Sequence, residues 1–317
     1  MNAARPPTDF FSGGFSFLEW LARTFPLPIQ RVIARLFCEA VFWGTTSLRR
    51  TLLQNLALAC PEASPFRRLR TAHRILMNYG IYFCDLFRVI LASEPPPVET
   101  FFDDLQNLEP IQTALDAENG ALLITPHLGN WELGMLPLGP WRERLAAITA
   151  PIKNPAMRQK MEAFRARHGI ELVTLENPGE YLFALKRLLM ERRLVTLLVD
   201  RHVGGHAMQA PFFGHETTMP CGYLYLARMF EAPIVPVFVL RNKRGKYTCI
   251  AEKPIYVART DDRERDIREA LLRVISVLEK HILLNLDQWY SFASLQPLNT
   301  PRDMSSSQKE PQHLRPS

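Results

Sequence analysis

The sequence predicts an α/β protein, a largely parallel central sheet flanked by helices, with an N-terminal amphipathic helical segment that associates with a membrane. Three observations lead there. From about residue 100 to 285, short apolar runs alternate with helical-period stretches, the pattern of parallel strands covered by crossover helices. Before residue 97 the apolar residues recur at helical spacing. With 47% hydrophobic residues in 317, the chain can also fill a substantial core.

The first clear element is a helix over 28–43, where Ile29, Val32, Ile33, Leu36, Phe37, Ala40 and Val41 fall on one side and Arg31, Arg35 and Glu39 on another. Pro28 can open it and Gly44 close it. Aromatic residues flank it, with Phe10, Phe11, Phe15, Phe17 and Trp20 before it and Phe42 and Trp43 at its end, the kind that settle at a lipid headgroup boundary. Two readings stand: an interfacial anchor, or an ordinary core-facing helix. Charges at Glu19, Arg23, Arg31, Arg35 and Glu39 interrupt every stretch long enough to span a bilayer, and no basic segment precedes an uninterrupted apolar core as in a cleavable signal peptide.

A second helix runs from about Phe66 to Leu91 and stops before Pro95-Pro96-Pro97, a rigid spacer that suggests a boundary. The expected organisation is a helical membrane-associating region over 1–97, an α/β domain over 98–298 and a tail over 299–317 too polar to bury a core. Expected strands are Ala121 to Thr125, Leu145 to Thr149, Ile170 to Leu175, Leu194 to Val199, Ile234 to Leu240 and Tyr247 to Ala251. Helices are expected over 154–168, 178–192, 218–231 and 261–284.

The net charge of +6 suits an acidic partner or an anionic membrane surface, and no nucleic-acid-binding motif accompanies it. Five scattered cysteines argue against a disulfide framework and against paired-cysteine metal ligation, and read as reduced thiols of a cytosol-facing protein. His202 and His206, with Asp200 nearby, have metal-like spacing, but a catalytic zinc needs three well-placed ligands, so no metal is expected.

In open α/β sheets reactive groups collect at the carboxyl ends of strands. The first expected strand is followed by "PHLGNWELG". His127 and Glu132 would lie on different faces of a continuous helix, so their meeting requires a turn, which Gly129 permits. Asn130, also a candidate for substrate binding, can cap the next helix and put Glu132 in its first turn, from which a carboxylate could reach back to the imidazole. A carboxylate on one imidazole nitrogen fixes the tautomer and makes the other a base for a hydroxyl.

This block resembles the H-x4-D/E box of the lysophospholipid acyltransferase superfamily, and Gly-Asn-Trp-Glu looks like the branch of lipid A biosynthesis and phosphatidylinositol mannoside acyltransferases. The resemblance covers about Leu36 to Phe292: "SLRRTLLQNLALACPEAS" is similar to the N-terminal box, "LVDRHVGGHAMQAPFFG" to the strand-end block, and "DQWYSF" to the closing motif. It implies His127 as general base with Glu132 as its partner. It also implies that Asp200, Arg201 and Gly205 shape the acceptor or phosphate side of a cleft lined by Phe212, Phe213 and Gly214; the alternative for the two phenylalanines is core packing. Lys153 and Arg158 are candidates for a phosphate or for acidic groups of a carrier, although Arg158 also fits a solvated helix face.

Two departures, Ala150 where lipid A enzymes commonly carry an Arg and the uncharged "SFASLQP" after the closing Trp, weigh against lipid A itself as acceptor. The resemblance implies transfer of a fatty acyl group from acyl carrier protein or coenzyme A to a hydroxyl of a membrane lipid or glycolipid, without a cofactor, by a peripheral or monotopic protein on the cytoplasmic face of the inner membrane. No G-x-S-x-G elbow occurs in the chain, which argues against an α/β-hydrolase. A hydrolase using the same base on water, or an inactive lipid-binding protein of the same fold, are the alternatives.

Overall fold

The computed structural model describes residues 10–94, 96–116, 119–149, 155–174, 180–202 and 205–295. The expected tail, Lys153 and Pro95 lie outside these residues. The chain begins with four helices: α1 (Phe10–Thr24), α2 (Leu27–Gly44), α3 (Thr46–Ala59) and α4 (Pro65–Ile90). A short α5 (Val98–Phe101), β1 (Phe102–Gln106) and α6 (Glu109–Asp116) lead to β2 (Ala121–Thr125) and β3 (Leu145–Thr149). Then come α7 (Pro155–Arg167), β4 (Glu171–Thr174), α8 (Glu180–Met190), β5 (Leu194–Leu198), the hairpin β6 (Ala207–Phe212) and β7 (His215–Pro220), α9 (Gly222–Phe230), β8 (Ile234–Arg241), β9 (Tyr247–Ala251) and α10 (Arg263–Leu284).

Seven strands form one sheet in the order β1-β9-β8-β2-β5-β3-β4, in which only β8 and β9 run antiparallel. Strand β2 is apolar along most of its length because both faces are covered; Leu122 and Ile124 point to one apolar cluster, Leu123 to the other. From β2 the chain passes to β3 and β5 on one side and later to β8 on the other, which opens a crevice at the carboxyl ends of β2 and β5.

Sequence signals set several boundaries. Pro65 starts α4 behind Ser64, whose Oγ accepts from Arg67 N at 3.3 Å, and Asp262 caps α10 by accepting from Arg265 N at 3.0 Å. The expected helix over 218–231 starts later, at Gly222, because residues 218–220 finish the β6–β7 hairpin, which was not expected from the sequence. Its two-residue turn is Phe213-Gly214, both with positive φ. Strand β1 was also not expected; its short FDDLQ run is exposed after its first residue and lacks an apolar alternation.

Helix α2 buries Ala34, Cys38, Val41 and Phe42, packing against α4 where Gly80 lets the backbones approach: a Cβ there would stand 2.8 Å from Cys38 Sγ. Arg31 Nη2 reaches the fully buried Asp85 at 2.7 Å, and Tyr247 Oη donates to its other oxygen at 2.8 Å, so that buried charge is paired and hydrogen-bonded. The opposite side of α2 leaves Ile29, Val32, Leu36 and Trp43 exposed. The 28–43 helix is therefore core-facing on one flank and apolar towards solvent on the other. Among the described residues no helix is long and apolar enough to cross a membrane. All five cysteines are free; burial pushes the Cys38, Cys84 and Cys249 thiols up to about 12, which keeps them protonated at neutral pH.

Candidate active site

Strands β2 and β5 are neighbours and parallel, with Thr125 opposite Leu198. The residue two beyond each strand end therefore faces its counterpart: His127 meets Asp200. His127 Nδ1 lies 2.6 Å from Asp200 Oδ1, and the His127 backbone N–H donates to Oδ2 at 3.0 Å. Trp289 Nε1 donates to Oδ2 at 3.3 Å. Burial of Asp200 works against its charge, but the imidazole, the His127 N–H and the nearby Arg201 outweigh it and hold the carboxyl below its usual range. An ionised carboxylate only accepts, so Nδ1 carries a proton, and in the neutral ring Nε2 is then the nitrogen with the lone pair.

The loop carrying His127 is held from two sides. Asn130 N donates to Val239 O at 2.8 Å on β8, Gly129 N to Gln288 O at 3.0 Å, and Tyr290 N to His127 O at 2.7 Å. Gly129 has φ of 66°, and a Cβ there would overlap the Val239 carbonyl, so this residue must be glycine for the loop to lie on β8.

The hydrogen bond expected between His127 and Glu132 is replaced by that to Asp200. The segment after the loop is a 3-10 helix (Trp131–Met135) rather than an α-helix, and the Glu132 carboxylate accepts from Arg165 Nη2 at 2.8 and 3.1 Å. Asn130 stands at the cap position, but its side chain makes no cap bond; it is buried and donates to Tyr82 O at 3.3 Å and towards Tyr247 Oη at 3.4 Å. Arg165 was not foreseen. It sits with Met161 and Phe164 on the buried side of α7, and an arginine at the spacing of that apolar stripe is the signal that marks it. Its Nη1 is buried without an acceptor among the described residues.

Glu132 and Arg165 line one part of a cavity of about 120 Å³ whose other walls include Leu123, Leu138, Leu145 and Val239. Trp131 lines it as well, and its ring stands 5.3 Å from the His127 imidazole, centroid to centroid. The His127 imidazole thus stands against Trp131, one of the residues lining an apolar slot that carries one charged pair.

The other expected site residues are dispersed. Arg158 is exposed on α7, as the solvated-face alternative had it. Gly205 is exposed with φ of 84°, and Arg201 is half-buried beside Asp200. Phe212, Phe213 and Gly214 do not line the cavity; the phenylalanines pack on Trp289 at 6.3 and 5.4 Å, and Gly214 serves the hairpin turn. Residues His202 and His206 are exposed, and among the described residues no three His, Cys, Asp or Glu side chains gather as a metal site.

Fold and site define an α/β protein with a carboxylate-oriented histidine at the switch point of its sheet, next to an apolar slot. A family model described as "Bacterial lipid A biosynthesis acyltransferase" matches residues 11–295, and the chain belongs to that family. Among curated relatives it is similar to the phosphatidylinositol mannoside acyltransferase of Mycobacterium tuberculosis (strain ATCC 25618 / H37Rv), 27% identical over 203 residues, 64% of this chain and 63% of that protein. The enzyme of the same name from Mycolicibacterium smegmatis (strain ATCC 700084 / mc(2)155) is 27% identical over 195 residues, 61% of this chain and 62% of that protein. The chain thus matches less than two thirds of the length of these relatives.

Proposed function

We propose that this protein transfers a fatty acyl group from a thioester, on acyl carrier protein or coenzyme A, to a hydroxyl of a membrane glycolipid, with His127 as the general base. The His127–Asp200 pair, whose imidazole stands against the slot-lining Trp131, carries this reading. Nε2 takes the proton of the acceptor hydroxyl as its oxygen attacks the thioester carbonyl carbon. The tetrahedral intermediate collapses with cleavage of the C–S bond, and the thiol leaves with the proton returned from Nε2. The free Nη1 of Arg165, a fixed cationic donor in a site of low polarity, is suited to the carbonyl oxygen as negative charge develops on it. Family membership and the names of the relatives support an acyl acceptor of lipid or glycolipid type.

The test is to incubate purified protein with labelled acyl carrier protein or acyl-coenzyme A and a lipid extract, and to separate the products by mass. A lipid heavier by one acyl group is the expected product. Free fatty acid alone would replace transfer by hydrolysis, and no turnover with either donor would leave a lipid-binding protein.

We also propose that α2 rests on the membrane from which the acceptor comes, on the cytoplasmic face of the inner membrane. Its exposed Ile29, Val32, Leu36 and Trp43, with Trp20 of α1, give an apolar and aromatic surface on a helix that is otherwise anchored to α4. Replacing Val32 and Leu36 by Asp is expected to lower partition onto anionic phospholipid vesicles by about a hundredfold, since each of the two lost apolar contacts is worth about 1.5 kcal/mol. Unchanged co-sedimentation of that double variant would remove α2 from the membrane contact.

A further inference from the structure

We propose that Trp289 is a positioning residue for the base: its indole N–H orients the Asp200 carboxylate and so keeps His127 in the tautomer with a free Nε2. This rests on the acyl-transfer reading above. Asp200 Oδ1 holds the imidazole, while Oδ2 accepts from the His127 backbone N–H and from Trp289 Nε1. The first two of these three bonds come from one residue, so they would let the carboxylate follow any movement of the His127 loop. The indole is fixed from elsewhere. It is 1% exposed and packs against Phe212 and Phe213 of the β6–β7 hairpin, and the Phe213 backbone N–H donates to Glu279 on α10.

The same segment also grips the loop through its backbone, by the Leu128–Trp289 bridge and the Tyr290 N–H to His127 O bond. A buried indole needs a hydrogen-bond acceptor, a demand that phenylalanine would not make, and here Asp200 meets it. The closing motif and the Phe-Phe-Gly turn thereby acquire one role: they anchor the group that orients the base.

Trp289→Phe keeps a ring in place and removes the donor. We expect kcat for acyl transfer to fall about tenfold, the weight of one hydrogen bond to a charged group, with KM for donor and acceptor unchanged. Nitrogen-15 NMR of the His127 ring at a fixed pH is expected to show only the Nδ1–H neutral tautomer in the unmutated protein and a mixture with Nε2–H in the variant. Unchanged kcat, or a lower kcat with an unchanged tautomer, would overturn the proposal. Should Trp289→Phe not fold, benzothienylalanine at position 289 preserves the indole shape without the N–H and is measured in the same way. His127→Ala serves as reference. If it too retains transfer, the general-base reading fails; if it is inactive while the Trp289 variant is unaffected, only the positioning role falls.

Discussion

Asp200→Asn is expected to lower the transfer rate by about a thousandfold or more, the scale seen when a triad carboxylate becomes an amide, and His127→Ala by at least as much. The reason is geometric. Oδ2 of Asp200 accepts two N–H groups, from the His127 backbone and from Trp289. In the variant the amide oxygen must take that place, which puts the NH2 where Oδ1 now meets Nδ1. The imidazole then accepts at Nδ1 and carries its proton on Nε2, the nitrogen that has to receive the proton of the acceptor. Because asparagine is isosteric and keeps the two bonds at Oδ2, the variant should fold, with a thermal midpoint lowered only by the stability that the Asp200 charge contributes. Product formation above a tenth of the unmutated rate by Asp200→Asn would remove Asp200 from the mechanism.

The ionisation of Asp200 has a defined sign. Its native pKa is below the usual carboxylate value, so its charge contributes stability that is present above the unfolded-state pKa and is lost as pH falls through the lower native one. A loss of activity on the acid side near neutrality therefore has a source other than Asp200.

These particulars also show where the sequence was informative. His127 was legible, because a histidine two residues beyond an apolar strand stands at the carboxyl edge of an α/β sheet whatever the strand order. Asp200 stands at the same edge, yet its meeting with His127 depends on β5 inserting between β2 and β3, a choice of topology made by packing across 73 residues of chain. Glu132 lay close in sequence, so a local turn made it the natural partner. The turn formed is a 3-10 helix, in which the carboxylate is taken by Arg165. The amphipathic period of α2 was equally plain, but periodicity does not say which flank is covered, and α4 takes the Ala34 and Cys38 side.

Glu132→Ala is expected to destabilise the protein by about 3–5 kcal/mol, because it leaves the Arg165 guanidinium buried without its counter-charge. Arg165 is 5% exposed and gives Nη2 to both oxygens of Glu132. In a domain of this size such a loss should lower the thermal midpoint by roughly 10 °C. Replacing both members, Glu132→Gln with Arg165→Met, removes the uncompensated charge and should return much of the stability, as buried ion pairs exchanged for neutral groups of similar volume often do. Transfer should not return with it, since a neutral pair offers no cation to the thioester oxygen. Thermal melts and product assays on the single and double variants separate the two roles: a double variant that regains both would make the pair a packing device, whereas a stable double variant without turnover places the Arg165 charge in the chemistry itself.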